Sequence, residues 1–350
     1  MAYKILILGA SYGSLLATKM MMAGHAVTLV CRTNTAELIN KNGTEVRIKL
    51  KDEQVHRSIF SKDFAGQLDA KTPTQVTPAD YDMVCLAMQE PQYGNHEIWT
   101  LMVKIAEARI PCLSIMNMPP LAFLKRIKGL DADKLESSYT NPRVWDRFDP
   151  DLMTLCSPDP QAFRPPEEAA NVLHVGLPTN FKAAAFGDAK SNAMLRQLEA
   201  DISAVRLDGK DVPVKLKVFE SLFVPLAKWS MLLTGNYRCV TRDGVCDIRS
   251  AVHGDLARSK SIYEYVDALA QRLGADPADA VPFAKYAAAA ENLLKPSSAA
   301  RAIEAGAPLI ERVDKLVQLI GKQVGMQNDD VDAVVKTVDA RIAGNQRISA

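Results

Sequence analysis

Residues 3–14, with the sequence YKILILGASYGS, decide the fold of this chain. The first six of them form a continuous apolar run, which is typical of a strand buried on both faces of a parallel sheet. A glycine-rich turn follows, then a helical pattern over residues 14–23 and a second apolar run over residues 26–31. These pieces have the order and size of a strand–helix–strand unit. The sequence therefore predicts an α/β fold that begins with a doubly wound sheet of the Rossmann type.

The turn between the first strand and the first helix predicts a dinucleotide site. Glycine is needed there because the chain turns tightly and its backbone must approach the pyrophosphate, which binds the free N–H groups of the helix start. The spacing here is GxxxG rather than GxGxxG, and a turn of this kind also occurs for purely structural reasons. We expect these residues to bind the cofactor: Gly9, Ser11, Tyr12, Gly13 and Ser14.

The same turn is similar to that of short-chain dehydrogenases, which need a tyrosine followed four residues later by a lysine. None of the nine tyrosines has a lysine at that spacing, so this class is excluded. The end of the second strand indicates which cofactor to expect. The chain has Arg32 where an NAD enzyme usually carries an acid, and a guanidinium suits a 2′-phosphate. NADP(H) is favoured, against the alternative of a solvated surface arginine.

Composition excludes several other classes. Lysine and arginine number 42 against 41 aspartate and glutamate, a net charge of +1, so a nucleic-acid partner is not expected. No apolar run approaches the ~18 residues of a membrane span, and the N-terminus lacks the pattern of a signal peptide. The six cysteines include no CxxC pair and the five histidines no HxxxH spacing. We expect a cytoplasmic protein with no metal, no nucleic acid and no membrane partner.

The 350 residues are enough for about two domains. Strands and helices alternate in the first part, and long helical patterns dominate from about residue 214. We expect a Rossmann domain over residues 1–210, with residues 137–168 as an insertion, and a helical domain over residues 211–350. The apolar helical half is consistent with a homodimer.

A lysine inside an apolar stretch is the candidate proton donor. Residues 214–233 predict one helix, in which Lys228 stands beside Trp229. Partial desolvation lowers the pKa of a lysine and makes it a better acid near neutrality. The alternative is an ammonium that reaches water along its own stem. Asn236 follows at the end of this segment.

An ordered series of motifs resembles the ketopantoate reductase (2-dehydropantoate 2-reductase) family over nearly the whole chain. The motifs are KILILGAS, AGHAVTLVCR, YDMVCLAMQEPQ, SIMNM, VLHVG, AAAFGD, LAKWSMLLTGN, PSSAARAI and ERVDKL. The resemblance implies an N-terminal Rossmann domain and a helical domain like that of 6-phosphogluconate dehydrogenase. It also implies hydride transfer from NADPH to a small anionic 2-oxo acid.

The resemblance implies roles for single residues, which are the following: Gly9 and Gly13 in the phosphate turn, Arg32 at the 2′-phosphate, Gln89 where the family has a lysine, Asn117 beside the nicotinamide, Lys228 as proton donor and alkoxide stabiliser, Asn236 on the substrate, Ser297 or Ser298 on its carboxylate, and Glu311 positioning the lysine. Glu304 or Asp314 are alternatives to Glu311, because the alignment needs a gap there.

Departures from the family surround the substrate positions. Asn117 is followed by Met118-Pro119 instead of glycine, and Leu232 stands four residues after Lys228, where the family has an asparagine. A different 2-oxo acid or a related carbonyl is therefore an open alternative. Opine dehydrogenases rely on a histidine, commonly before proline, and no His-Pro pair occurs here; a β-hydroxyacid dehydrogenase would need asparagine at Leu232. The alternatives kept are an opine-dehydrogenase-like reductase of a related carbonyl or imine substrate and a non-catalytic NADP(H)-binding sensor.

Overall fold

The computed structural model describes residues 2–64 and 66–349, and the chain forms two compact units. Their composition is as follows: unit 1 contains Met1–Met88, Gln92–Phe123 and Val144–Glu220, and unit 2 contains Gln89–Pro91, Leu124–Arg143 and Ser221–Ala350. The main division thus lies after Glu220. A domain boundary after residue 210 stays a prediction.

Unit 1 contains the strands. They are β1 (Lys4–Leu8), β2 (Ala26–Val30), β3 (Glu45–Ile48), β4 (Arg57–Phe60), β5 (Leu68–Lys71), β6 (Met83–Leu86), β7 (Cys112–Ile115), β8 (Met153–Ser157), β9 (Gln161–Phe163), β10 (Val172–Leu177), β11 (Phe181–Ala184), β12 (Arg206–Leu207), β13 (Lys210–Asp211) and β14 (Leu216–Phe219). In the described residues they form a main sheet of eight strands, a second sheet of four and the β12–β13 pair.

The main sheet has the order β14-β11-β8-β7-β6-β1-β2-β5. From β5 to β8 all neighbours are parallel, and only the β8–β11 pair is antiparallel. Reading β5, β2, β1, β6, β7 and β8 gives the strand order 3-2-1-4-5-6 of a doubly wound dinucleotide fold. The predicted Rossmann-type sheet is confirmed. Its order reverses between β1 and β6, and ligands of such sheets bind beyond the carboxyl ends of the strands at that point.

The segment predicted as an insertion contributes to the core of the main sheet. Strand β8 lies within residues 137–168 and pairs with β7 on one side and β11 on the other. All five of its residues are buried. Strand β9, from the same segment, pairs antiparallel with β10 in the second sheet, whose order is β4-β3-β10-β9. Neither strand was predicted from the sequence.

The first five helices accompany the strands. They are α1 (Gly13–Met22), α2 (Thr33–Asn42), α3 (His96–Glu107), the short α4 (Leu121–Leu124), in which the chain leaves unit 1, and α5 (Ala189–Ala204). Helix α1 is buried at every position but its last, and the polar side chains of Ser14, Thr18 and Lys19 are buried with the apolar ones. The side chain of Lys19 is thus enclosed within unit 1.

Unit 2 is helical, as predicted. Its helices are α6 (Lys228–Met231), α7 (Ile248–His253), α8 (Leu256–Arg272), α9 (Phe283–Ala290), α10 (Ser298–Glu304), α11 (Val313–Gln323) and α12 (Asp329–Ser349). Throughout the described part of the chain, no helix combines the length and apolarity that crossing a bilayer would require.

The prediction of a single helix over residues 214–233 is wrong. Strand β14 occupies the start of that range and pairs in parallel with β11. Pro225 then opens a short 3-10 turn, Pro225–Ala227, which leads directly into α6. Proline lacks an N–H to donate to a preceding turn, so it suits the first turn of a helix and not its interior, and the helical segment accordingly begins at Pro225.

Candidate active site

The glycine turn lies at the carboxyl end of β1, at the point where the strand order reverses. Gly9 has φ 107°, and a Cβ there would lie 2.7 Å from the carbonyl oxygen of Ala87, just beyond β6. A Cβ at Gly13 would lie 2.7 Å from Cγ2 of Ile7 on β1. Because a contact below 3 Å forces a neighbour to move, both positions require glycine. The turn thus passes as close to the sheet as a dinucleotide site demands.

The other residues of the turn differ in whether their side chains are hydrogen-bonded within the protein. Ser11 is exposed, whereas the hydroxyl of Ser14 donates to the carbonyl of Ala10. The Tyr12 hydroxyl donates to the carbonyl of Pro160 at 2.6 Å, and burial raises its pKa. No side chain caps the start of α1. The N–H groups of Ser14 and Leu15 donate to the carbonyls of Ser11 and Tyr12 at 3.2 and 3.1 Å, so the N–H groups suited to an anion are those of Tyr12 and Gly13 ahead of them. The backbone of the turn, more than its side chains, is fit to hold a pyrophosphate.

The neighbouring strand ends carry the other predicted cofactor residues. The N–H of Gly9 donates to the carbonyl of Val30 at 3.0 Å, which places the end of β2 next to the turn. Arg32, two residues later, is exposed at the start of α2 and forms no ion pair with any described residue. Asn117 follows β7, and its Oδ1 is buried with no hydrogen-bond partner among the residues described. Gln89 is exposed and belongs to unit 2.

One charged residue that contacts the turn was not predicted from the sequence. Arg164, just after β9, donates from Nη2 to the carbonyl of Ala10 at 2.9 Å. Nothing in the local sequence links residue 164 to residue 10. The contact arises from the path of β8 and β9, neither of which was predicted.

Lys228 begins α6 in unit 2 and is half-buried beside the buried Trp229. After α6 the helix widens into a π turn, Leu232–Asn236. In a regular α-helix, eight residues rotate about 80° beyond two full turns. A π turn rotates less per residue, so it brings Asn236 nearer to the side of the helix that carries Lys228. The backbone thereby brings the two candidate residues toward one side of the helix.

The π turn is held in place by a tyrosine. The Tyr286 hydroxyl donates to the carbonyl of Met231 at 3.1 Å, just where the helical hydrogen-bond pattern changes. A Cβ at Gly235 would overlap that hydroxyl, so glycine is required for the tyrosine to approach. The site of the widened helix is therefore specified by two residues that the sequence analysis did not single out.

The two candidate serines have different roles in the structure. Ser297 is buried, caps α10 by accepting from the N–H of Ala300 at 3.1 Å, and donates its hydroxyl proton to the carbonyl of Asn236 at 2.7 Å. A hydroxyl has a single proton, so Ser297 has none left for a carboxylate. Ser298 is exposed and its hydroxyl proton is not committed to any described residue. Of the two, Ser298 is the better candidate for binding an anion.

Replacing Ser297 by alanine is expected to lower the free energy of unfolding by about 1 kcal/mol, since it removes an N-cap. Ser298→Ala is the matched control and is expected to change it by less than ~0.5 kcal/mol. Urea unfolding of both variants measures the difference. A destabilisation by Ser298→Ala as large as that by Ser297→Ala would contradict this assignment of the cap.

Glu311 is fixed by contacts within unit 2. Its Oε1 accepts from the N–H of Glu90 at 3.2 Å, and its carbonyl accepts from the Tyr237 hydroxyl at 2.6 Å. Glu90 is itself buried, and its Oε1 accepts from the N–H of Thr140 at 2.9 Å while Oε2 has no partner among the described residues. Burial raises the pKa of Glu90. The structure thus joins Tyr237, the neighbour of Asn236, to Glu311.

The two alternatives to Glu311 are placed less favourably. Asp314 is fully buried and accepts from Arg312 through both oxygens, at 2.9 and 3.0 Å. That pairing leaves its carboxylate occupied. Glu304 is exposed near the end of α10. These contacts favour Glu311 as the acid that positions a lysine, and the role itself stays a prediction.

Comparison with known proteins agrees with this geometry. A family model described as ketopantoate reductase PanE/ApbA matches residues 5–93, which include β1, the glycine turn and β6. No curated protein matches the sequence. The resemblance to the ketopantoate reductase family is confirmed.

Solved structures share the fold along almost the whole chain. A 2-dehydropantoate 2-reductase from Methylococcus capsulatus is 13% identical with a TM-score of 0.66, and the match covers 97% of each chain. D-mandelate dehydrogenase with NADH and anilino(oxo)acetate is 14% identical with a TM-score of 0.64, over 98% of this chain and 99% of the other. A dimeric ketopantoate reductase from Staphylococcus aureus is 11% identical with a TM-score of 0.62, over 98% and 99%. At such identities the likeness is one of fold.

The family model covers the predicted cofactor residues of the first strands but not the predicted catalytic residues. The matched residues 5–93 contain the predicted turn, Arg32 and Gln89. Lys228, Asn236 and Glu311 lie beyond the matched range and keep the status of predictions. Within residues 2–64 and 66–349, no three side chains of the metal-binding types cluster closely enough to hold an ion.

Proposed function

We propose that the protein is an NADPH-dependent oxidoreductase that reduces a small 2-oxo acid to the 2-hydroxy acid. The observation that carries the proposal is the glycine turn at the reversal point of a doubly wound sheet, inside the residues that match the ketopantoate reductase model. An oxidoreductase of this family is the function that best fits such a turn joined to a helical unit.

The residues of unit 1 fit a dinucleotide. The Gly9 and Gly13 positions admit no Cβ, and the N–H groups of Tyr12 and Gly13, at the uncapped start of α1, would meet a pyrophosphate. Arg32 would pair with the 2′-phosphate, and the unpartnered Oδ1 of Asn117 would accept a hydrogen bond from a carboxamide N–H. When bound, the reduced nicotinamide supplies the hydride.

The residues of unit 2 supply the proton and hold the substrate. In this proposal the Lys228 ammonium donates a proton to the substrate carbonyl oxygen and stabilises the negative charge that develops there. Glu311 positions the lysine, and the backbone N–H of Glu90 holds the Glu311 carboxylate in turn. Asn236 binds the substrate, and Ser298 donates to its carboxylate.

A panel of 2-oxo acids tests the activity. We expect absorbance at the NADPH band to fall with at least one member of a panel that includes short aliphatic, branched and aryl 2-oxo acids. The aryl members are included because one structural neighbour is a D-mandelate dehydrogenase. Tight NADPH binding without turnover on any member would instead support a non-catalytic NADP(H)-binding sensor.

Three further features belong to the same proposal. We propose a domain division near residue 210, a cytoplasmic location and a homodimeric state. The dimer is supported by the dimeric neighbour from Staphylococcus aureus, and the location by the family resemblance.

A further inference from the structure

Two residues that follow β8 contact the glycine turn of unit 1. The Tyr12 hydroxyl donates to the carbonyl of Pro160 at 2.6 Å, and Arg164 donates to the carbonyl of Ala10 at 2.9 Å. Tyr12 also meets Phe181 of β11 edge to face, with ring centroids 6.0 Å apart. These contacts hold Pro160 and the guanidinium of Arg164 against the turn, near the place where a dinucleotide would bind.

The charge of Arg164 has no counterion in unit 1. Its side chain is half-buried and, among residues 2–64 and 66–349, it forms no ion pair and only the one hydrogen bond to Ala10. The titratable neighbour that faces it is Cys31, and burial raises the pKa of that thiol, so the thiol stays neutral. A guanidinium has five N–H donors, and desolvating it without an anion is costly. The arrangement calls for an anionic ligand.

The position of Arg164 indicates which part of the dinucleotide would supply that anion. Its guanidinium is hydrogen-bonded to Ala10, in the turn after β1, and interacts electrostatically with the thiol of Cys31, directly after β2. The residue next to Cys31 is Arg32. In doubly wound folds the end of the second strand is where the adenosine ribose is recognised, through its 2′-hydroxyl or 2′-phosphate. Arg164 therefore lies on the adenosine side of the turn.

We propose that Arg164 is a second specificity-determining arginine, which binds the 2′-phosphate of NADP(H) together with Arg32. The proposal rests on the proposed function, since it needs a dinucleotide in the turn. A phosphate dianion can accept hydrogen bonds from two guanidinium groups, and each pairing is charge-assisted. Arg32 comes from the strand end itself, whereas Arg164 reaches the same phosphate from the connection beyond β8.

Arg164→Met tests the proposal through nucleotide binding alone, without any substrate. We expect the Kd for NADPH to rise about 10- to 100-fold, the range of a lost hydrogen bond to a charged group, and the Kd for NADH to change less than about threefold. The same contrast is expected between 2′,5′-ADP and 5′-AMP, measured by calorimetry. Arg147→Met is the matched control, because Arg147 is an exposed arginine of unit 1 that pairs with Glu107.

A double-mutant cycle with Arg32→Met sharpens the test. If both arginines bind one phosphate, their effects on NADPH affinity are expected to be non-additive, and on NADH to be small and additive. An equal loss of NADPH and NADH in Arg164→Met would mean that the residue only shapes the turn, and would overturn the proposal. So would unchanged NADPH binding. Failure to reduce any 2-oxo acid would overturn the proposed activity and leave these binding constants intact.

Discussion

Lys228→Met is expected to lower kcat for 2-oxo acid reduction by about 10²- to 10⁴-fold, the usual contribution of a positioned proton donor. Methionine keeps much of the aliphatic stem of Lys228, so the helix start is expected to fold normally. The Kd for NADPH is expected to stay within about threefold, since Lys228 has no part in the proposed cofactor site. Steady-state kinetics and direct cofactor titration measure the two quantities separately.

The split between kcat and KM decides what Lys228 does. A lysine that only attracts an anionic substrate would raise KM and leave kcat nearly unchanged, whereas a proton donor acts on kcat. Lys260→Met, at an exposed lysine in α8 that pairs with Glu264, serves as the control. Unchanged kcat in Lys228→Met, with normal NADPH binding, would remove the residue from the mechanism.

The first strand–helix–strand unit could be predicted because its signals are local. Strands β1 and β2 are largely apolar runs. The glycines between them indicate that the turn lies close against the sheet. The predicted strand 3–8 and helix 14–23 correspond to Lys4–Leu8 and Gly13–Met22. Here local propensity and tertiary packing favour the same structure.

The error at residues 214–233 has a physical cause that the sequence does contain. In β14 the residues alternate between buried and half-buried, as expected for a strand with period two. The alternating run VKLKV before Ser221 and Pro225 inside the supposed helix were both signals of a break. The helix was predicted in spite of these two signals, because an apolar stretch of this length is also typical of a buried helix.

Other features of the site lie outside any local rule. Strand β8 is only five residues long and follows a segment rich in proline and aspartate, so its burial depends on β7 and β11. The contact of Arg164 with Ala10 spans 154 residues of sequence. Likewise, the resemblance offered Ser297 and Ser298 as equals, and only the hydrogen bond to Asn236 separates them. Such pairings follow from topology, which a single sequence does not reveal.

Lys19→Met is expected to remove a pH dependence of stability between about pH 7 and pH 10.5. Lys19 is fully enclosed in α1, and its Nζ donates to the carbonyl of Val212 at 3.1 Å. Burial, aided by the nearby Lys215 charge, lowers the pKa of Lys19 to about 7 from its ordinary value of 10.5. Between those two values the unfolded chain binds a proton that the folded chain lacks, so folding becomes less favourable as the pH falls.

The size of the effect follows from the pKa difference. At about 1.4 kcal/mol per pKa unit, the wild-type free energy of unfolding gains roughly 4 kcal/mol from this group between pH 7 and pH 10. Lys19→Met lacks that gain. Any advantage of the variant over the wild type in free energy of unfolding therefore shrinks or reverses as the pH rises. It also leaves the Val212 carbonyl without the Nζ donor, a cost that does not vary with pH.

Urea unfolding at a series of pH values from 6.5 to 10.5 gives the free energy of unfolding of the variant and of the wild type. Subtracting one from the other at each pH removes the contributions of titrating groups that both proteins share. Lys190→Met, at an exposed lysine of α5, is the matched control and is expected to follow the wild type. Parallel curves for Lys19→Met and wild type would show that the Lys19 ammonium reaches water in the folded protein. A difference that grows toward neutral pH, in favour of the methionine, would show instead that burying this amine makes the stability of unit 1 depend on pH.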